Sequence, residues 1–484
     1  MSLTSALSSA MSGLRATGRG SEIVSSNIAN ANSPGYVRRT LSISPDVTGA
    51  GGGVRVNGVV RHADQQIIND RRLAGAEAGY RSETTRALTQ IEDLIGTPDS
   101  TGSLAARVAD FEQSLITASS RPDASERLTS VAFAAKDLAR SINSVADGIQ
   151  ESRTRADRAI AEQVTQLNDA LKGVETLNAR IISQNSSGND TASLLDQRQQ
   201  LIDEISEMVP LRTIPRDHGA VALYSTGGAI LLEGQAVDVG FDPVNSVTSY
   251  ASIDDGTLSG LTLNGVSINT SSTNGRLRGG TLSAQFEIRD EIAPRAQAQV
   301  DAIARDLIER FQDDTVDPTL AAGDAGLFTD AGAPLDATAE VGLATRLSMN
   351  ALVDPDQGGD VWRMRDGLGA AAPGETGDAT LLNALTETLT AQRTQSSGEF
   401  GASALDLKDV VASFSSQVGS DRLRADRQLS FALAQFNELT QLELAGGVDT
   451  DVEIQNLIIL EQAYAANARV ITTVDEMFDT LMRL

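Results

Sequence analysis

The chain has 484 residues, a net charge of −26 and no cysteine. This charge argues against nucleic acid and anionic membrane surfaces as partners, and the lack of cysteine excludes disulfides and thiolate metal sites. Aromatic residues make up only 4% of the chain, which favours long helices packed through aliphatic side chains over compact enzyme domains. With no apolar run of membrane-spanning length and no signal-peptide pattern, we expect no membrane insertion and no cleaved leader.

A coiled-coil helix is predicted at the N-terminus. Three glycines, Gly13, Gly18 and Gly20, weaken it by roughly 1 kcal/mol each, so it needs a partner. It stops at residues 30–36, where proline cannot continue a helix and glycine permits a tight turn. The apolar residues that recur at three-four spacing and form its seam include Leu3, Leu7, Leu14, Val24 and Ile28.

The end of this helix carries a recognisable motif. Residues 27–36 read Asn-Ile-Ala-Asn-Ala-Asn-Ser-Pro-Gly-Tyr. They closely resemble the signature of bacterial flagellar axial proteins, the rod, hook and hook-associated subunits, in which Thr is commoner than Ser33. The resemblance implies that Asn30, Pro34, Gly35 and Tyr36 belong to an assembly interface.

Extended segments follow the signature. Residues 38–63 alternate apolar and polar side chains around a glycine run at 49–53, which predicts short strands or extended connectors. The run lacks the Lys and Ser/Thr spacing of a phosphate-binding loop, so a flexible turn is the expectation.

Helical patterns occupy residues 63–208. The longest seam begins after Pro122 and runs from Leu128 to Ile181, about sixty residues or on the order of 90 Å of helix. A turn at residues 186–189 then reverses the chain into a helix that ends before Pro210. These helices predict an elongated antiparallel bundle.

One helical segment adds a second resemblance. Residues 193–206 read Ser-Leu-Leu-Asp-Gln-Arg-Gln-Gln-Leu-Ile-Asp-Glu-Ile-Ser. They resemble a motif of the hook-associated branch of the axial proteins, which hook and rod subunits lack. The helical spacing alone does not separate these relatives.

The middle of the chain changes to period two. Strands are expected at residues 220–224, 229–232, 237–241, 247–253 and 261–268, as a small antiparallel β domain inserted between bundle helices. Residues 313–379 are rich in Gly, Asp and Pro, and their pattern leaves a loop excursion and a further insertion open. Helical patterns resume at 381–391 and 405–444, with a seam through Leu423, Leu429, Leu433, Phe436 and Leu439.

The last segment predicts an unbroken helix from about Asp451, because Asp449, Asp451 and Glu453 lie where a helix N-terminus favours negative charge. Residues 461–471 resemble the C-terminal helix of the axial proteins. The two terminal helices match in length and spacing, and we expect them to form a coiled coil, although each end is expected to be disordered before assembly. The C-terminal seam contains Leu457, Leu460, Tyr464, Asn467, Ile471, Val474, Phe478 and Leu481.

The sequence therefore predicts a mainly α fold with a β insertion. The expected domains are a terminal coiled-coil domain, an elongated helical bundle, a β insertion and a loop-rich insertion of undecided fold. Their respective residues are 1–62 with 445–484; 63–212 with 276–312 and 380–444; 213–275; and 313–379.

Candidates for chemistry are few. His62 and His218 lie in different predicted domains and in no motif. Asp354, Asp356 and Asp360 begin like a calcium loop, but Arg365 stands where a bidentate Glu would be needed, and a solvated acidic turn is favoured. We expect no catalytic residues, no cofactor and no metal.

The resemblance implies a structural role in the bacterial flagellum, at the junction of hook and filament, and a requirement in motility. It implies export through the flagellar type III system to an extracellular position. The implied partners are further copies of the chain in a ring, hook protein, the second hook-filament junction protein, and a cytosolic export chaperone at the C-terminal helix. A hook or distal-rod subunit, and a secreted binding protein on a helical scaffold, remain the alternatives.

Overall fold

The structure is a computed structural model that describes residues 3–33, 35–46, 52–97 and 99–483. Pro34 and most of the glycine run at 49–53 lie outside the described residues. The predicted fold class is confirmed, since long helices dominate and the sheets are small and antiparallel.

Twelve α-helices occur in the described part of the chain. They are α1 Leu3–Ala29, α2 Gln65–Ile95, α3 Leu104–Ser119, α4 Ser125–Ser186, α5 Ala192–Met208, α6 Gly280–Glu287, α7 Ala293–Phe311, α8 Leu343–Arg346, α9 Arg363–Asp366, α10 Thr380–Thr390, α11 Leu407–Ala445 and α12 Thr450–Met482. A π-helical turn, Ile288–Ile292, joins α6 to α7, and 3-10 turns lie at Asp217–Gly219 and Pro355–Gln357.

The strands form four antiparallel sheets among the described residues. They are β1 Arg39–Pro45, β2 Val54–Arg61, β3 Leu211–Pro215, β4 Val221–Ser225, β5 Ile230–Glu233, β6 Gln235–Ala236, β7 Val239–Gly240, β8 Thr262–Leu263, β9 Val266–Ser267, β10 Phe328–Asp330 and β11 Leu347–Met349. β1 pairs with β2 and β10 with β11, while β3 to β6 and β7 to β9 form separate meanders.

The spine of the molecule is α4, whose 62 residues confirm the predicted long helix. Its N-terminal half packs with α3, α7, α10 and α11 in one core, centred on Phe111, Phe311 and Phe328 with ring centroids 5.4 to 5.8 Å apart. Residues within 313–379 contribute to this core, including Leu343 and Val353, so that stretch packs on the bundle helices.

The C-terminal half of α4 carries α5 and the β strands around a second core.

The predicted strand at 247–253 is wrong. Its backbone is held by side chains of α4 instead, because Arg153 donates to the carbonyls of Thr248 and Ala251 and Thr154 accepts from the amide of Val247. Sequence reasoning missed β3, which pairs with β4 from Leu211 to Pro215.

Helices α2 and α11 pair to form a two-helix neck that leads towards the chain termini. Val418, Ala425 and Ala432 are the residues of α11 buried along it. The predicted seam is correct only in part, since Leu423 and Leu433 are exposed while Leu429, Phe436 and Leu439 are half-buried. None of the helices in the described part of the chain combines the length and apolar character that a membrane span requires.

Candidate assembly site at the chain termini

The two terminal helices pair in one antiparallel register. A Cβ atom on Gly13 of α1 would lie 2.9 Å from the side-chain amide atoms of Asn467 on α12, and one on Gly20 would lie 3.1 Å from Leu460. Both pairs of residue numbers have the same sum, so these contacts, a heptad apart, define a single register. It was these glycines that sequence analysis treated as a weakness of α1.

Small side chains let α1 approach α12 closely. The buried positions of α1 are Ala10, Gly13, Ala16, Gly20, Val24 and Asn27. Most of them carry no large apolar group, and an apolar periodicity search gives them little weight. Their spacing of three, four and seven residues was the signal that would have found this face. The structure pairs both ends as helices within one chain, where each helix supplies the other with a partner. The expected disorder of the ends before assembly stays a prediction.

The signature turn is held by Asn27, which is fully buried. Its Nδ2 donates to the carbonyl of Arg39 at 2.8 Å, and its Oδ1 accepts from the amide of Arg39 at 3.1 Å. The hydroxyl of Tyr36 donates to the same Oδ1 at 2.9 Å. One side chain thus ties the end of α1, the signature tyrosine and the first residue of β1, which explains why this position needs an amide that both donates and accepts.

The base of α12 is anchored by Glu453, which sequence analysis assigned only to the helix N-terminus. Its carboxylate is 1% exposed and accepts from Nε of Arg38 at 2.7 Å. Asp449 caps α12 by accepting from the amides of Asp451 and Val452. The helix therefore begins at a fixed position against the β1–β2 hairpin.

The hairpin contacts the motif segment in α5. Arg39 and Arg61, from the two strands, both donate to the carboxylate of Asp196, and Nε of Arg61 lies 2.9 Å from it. Arg61 also donates to Gln199 at 3.1 Å. Gly35 has φ of +74°, and a Cβ there would lie 2.8 Å from Gln200. The signature at residues 27–36 and the motif at residues 193–206 are therefore in contact.

A further arginine of the motif segment, Arg198, lies near this contact. Arg198 is buried and donates to Asn178 at 2.9 Å and to the carbonyl of Gly219 at 2.7 Å. Burial lowers the pKa of Arg198 to about 10, with a further contribution from the charges of Arg61 and Arg72.

The predicted interface residues occupy three environments. Val24 and Val474 are buried, while Tyr464 and Leu481 are exposed and Pro34 lies outside the described residues. The others are half-buried, namely Leu3, Leu7, Leu14, Ile28, Asn30, Gly35, Tyr36, Leu457, Leu460, Asn467, Ile471 and Phe478.

A second apolar stripe on α12 remains exposed. Val452, Ile459, Val470 and Met477 lie about a quarter turn from the residues that face α1. Ile459 is 63% exposed. It borders a groove between α12, α1 and the hairpin, together with Ile43.

The calcium-like loop already holds a cation of the protein itself. Lys136 Nζ lies 2.8 Å from Asp354 and 2.7 Å from Asp356. Although burial acts to raise it, the pKa of Asp354 is lowered by hydrogen bonds from Lys136 and Gln357. Within the described residues no group of three His, Asp or Glu side chains is arranged to hold a metal ion.

Comparison with known proteins identifies relatives of both ends and of the bundle. A model of the flagellar hook-associated protein FlgK helical domain matches residues 88–319. Models of the flagella basal body rod protein and of the flagellar basal body rod FlgEFG protein C-terminal match residues 7–36 and 445–484.

Individual relatives include flagellar hook-associated protein 1 of Escherichia coli (strain K12), 26% identical over the full length of both chains. The Bacillus subtilis (strain 168) protein of that name is 23% identical over 94% of this chain and 93% of its own. The Salmonella typhimurium protein is 30% identical over 51% of this chain and 47% of its own. The solved flagellar hook junction protein FlgK from Burkholderia pseudomallei aligns with a TM-score of 0.43 and 18% identity over 55% of this chain and 47% of that one.

Paired terminal helices, the signature turn and the rod-protein models together define a flagellar axial protein. The helical-domain model and the full-length relatives narrow this class. Over its full length the chain is similar to flagellar hook-associated protein 1, and residues 88–319 match the hook-associated helical domain.

Proposed function

We propose that the chain is a structural subunit of the hook-filament junction, in which copies join through their terminal helices into a ring. The observation that carries this proposal is the exposed stripe of Val452, Ile459, Val470 and Met477 beside the seam that α1 already covers. A helix with two apolar stripes needs two partners, and α1 supplies one of them. A repeated head-to-tail contact closes into a ring when its rotation permits.

The remaining parts of the proposal concern partners and location. Hook protein lies on one side of the ring and the second hook-filament junction protein on the other. Before export through the flagellar type III system, a cytosolic chaperone covers the C-terminal helix, where an exposed apolar stripe promotes aggregation. The assembled ring is extracellular. The names of the relatives and the exposed stripe support this order of events.

A hook or distal-rod subunit is the nearest alternative. Such a subunit shares the terminal helices, which the two rod-protein models match at residues 7–36 and 445–484. The model of the hook-associated helical domain over residues 88–319 favours the junction protein instead.

To test this proposal, a strain that lacks the gene is complemented with a double variant that carries Ile459→Glu and Val470→Glu. We expect the variant to be exported with normal helicity and to leave hooks without filaments, because both charges enter the contact between copies. Val266→Glu is the matched control, since Val266 is 68% exposed on β9, far from the termini in sequence. Wild-type numbers of filaments with the double variant would contradict the proposal, and export in a strain without the type III channel would contradict the route.

A further inference from the structure

We infer that the segment Asp196 to Asp203 of α5 sets the orientation of the terminal unit on the rest of the chain. The terminal unit is α1, β1, β2 and α12. This inference concerns contacts within one chain, so it stands or falls separately from the proposed function. Only its consequence for assembly rests on that function.

The first contact is at Asp196, which accepts from both strands of the hairpin. Arg61 donates to its Oδ1 through Nε and Nη2, at 2.9 and 2.5 Å, and Arg39 donates to its Oδ2. Arg39 also lies over the ring of Tyr36, 4.8 Å from its centroid. One carboxylate thus joins β1, β2 and the signature turn to α5.

The second contact is at Asp203, two helical turns further along α5. Arg72 donates to its Oδ1 at 2.5 Å and Arg71 to its Oδ2 at 2.9 Å, both from α2. Arg71 also donates to Glu443 near the end of α11. The neck helices are therefore joined to the same segment of α5 that holds the hairpin.

All of these contacts are made in one orientation of the hairpin relative to α5. Asp196 is largely buried, and a rotation of the hairpin would leave its charge and those of Arg39 and Arg61 without partners. Surface ion pairs would not have this effect, because water replaces a lost partner at little cost. The carboxylates at positions 196 and 203 are thereby required for the orientation of the terminal unit as well as for stability.

The difference between this segment and an ordinary amphipathic helix lies in its polar residues. Asp196, Gln199 and Asp203 each accept from an arginine of the hairpin or the neck, and Gln200 packs against the signature Gly35. Arg198 faces the other way and donates to Gly219 beside the β strands. The terminal unit, the neck and the β strands therefore all contact one segment of α5.

The test measures the distance between the terminal unit and the bundle in purified monomer. Spin labels are placed at Arg55→Cys on β2 and Arg180→Cys on α4, two exposed positions, and the labels are unambiguous because the chain has no cysteine. Pulsed electron resonance then gives the distribution of distances. We expect Asp196→Asn to broaden this distribution at least twofold and to leave the helix content unchanged.

Matched variants separate orientation from general loss of stability. Glu204→Gln removes an exposed carboxylate from the same helix and is expected to keep the wild-type distribution. Arg61→Gln removes the contact with Asp196 from the hairpin side. It provides an independent measurement if Asp196→Asn fails to fold. Combined with Asp196→Asn, it should add little further broadening, because both changes remove one contact.

Wild-type distributions in both Asp196→Asn and Arg61→Gln would overturn the inference. Equal broadening by Glu204→Gln would overturn it as well, since the effect would then be unspecific. If the inference holds, the monomer carries its terminal unit at a fixed angle before any partner binds.

Discussion

Gly13 of α1 and Asn467 of α12 face each other so closely that no side chain fits between them. A Cβ atom on Gly13 would lie 2.9 Å from both Nδ2 and Oδ1 of Asn467. The amide of Asn467 donates to the carbonyl of Ala463 in its own helix at 3.0 Å, so its contact with α1 is one of shape. Within one chain, the register of α1 on α12 is thus set by the positions of the glycines in α1.

We predict that Gly13→Ala weakens the pairing of α1 with α12 although alanine is the better helix former. Overpacking against Asn467 costs about 1–3 kcal/mol, which offsets or exceeds the roughly 1 kcal/mol gained in helix propensity. Gly18→Ala is the matched control, because a Cβ there meets nothing within 4 Å and should stabilise α1. Amide exchange of α1 in the monomer measures both variants. Equal protection in the two would show that close approach at Gly13 has no role.

A second prediction concerns Asn467 itself. Asn467→Leu is expected to keep or raise the stability of the helix pair, since no hydrogen bond to α1 is lost. We also expect fewer correctly capped hooks, because a polar residue in the seam penalises wrong registers between copies and leucine does not. Thr472→Leu, at an exposed position of α12, is the control. Filaments counted on sheared hooks decide, and a normal count with the leucine variant would retire the register hypothesis.

The third prediction addresses the signature turn. Gly35→Ala is expected to destabilise the terminal unit by more than Gly52→Ala. Both glycines have positive φ, +74° and +67°, so alanine is strained by about 1 kcal/mol at either site. Only at Gly35 does the added Cβ also meet a neighbour, Gln200 at 2.8 Å.

The difference between the two variants therefore isolates the contact with α5. Urea unfolding followed by the fluorescence of a probe on the hairpin would measure it. Adding Gln200→Ala to Gly35→Ala should recover the difference and leave the φ strain. If the two single variants are equally stable, the contact between the signature turn and α5 carries no energy.

Elements with a long apolar period were predictable from the sequence, and contacts between them were not. The length of α4 followed from one seam, because local periodicity records which face of a helix is buried. Gly13 and Gly20 carry no hydrophobic signal, and a close approach is visible only when the partner is present. The strand predicted at 247–253 failed because apolar alternation also arises in a loop whose backbone is bound by Arg153 and Thr154.

The candidate site was predicted only in part, because contacts between residues far apart in the chain leave no local pattern in the sequence. The signature residues were found by resemblance, and Glu453 was noted only as a helix-terminal charge. Its pairing with Arg38, like that of Asp196 with Arg39 and Arg61, joins residues far apart in the chain. Charged residues at such positions look like solvated surface until the fold buries them.

The last prediction concerns pH and Asp301, which is 2% exposed at the centre of α7. It accepts from the amides of Gly342 and Ala344 and from Gln297, all at 2.8 to 2.9 Å. Desolvation outweighs these hydrogen bonds and raises the pKa of Asp301 to about 6. The folded chain therefore binds this proton between about pH 4 and 6, where the unfolded chain has released it.

The stability that Asp301 contributes is present below about pH 4 and is lost as the pH rises through about 6, by up to roughly 3 kcal/mol. Asp301→Asn does not titrate, and it loses a fixed amount because one acceptor becomes a donor. The deficit of the variant relative to wild type should therefore shrink between pH 4 and 7. Asp336→Asn is the control, since a hydrogen bond from Thr338 lowers the pKa of Asp336, and its deficit should be constant above pH 5. Urea unfolding at each pH measures both, and a constant deficit for Asp301→Asn would show that Asp301 is ionised throughout.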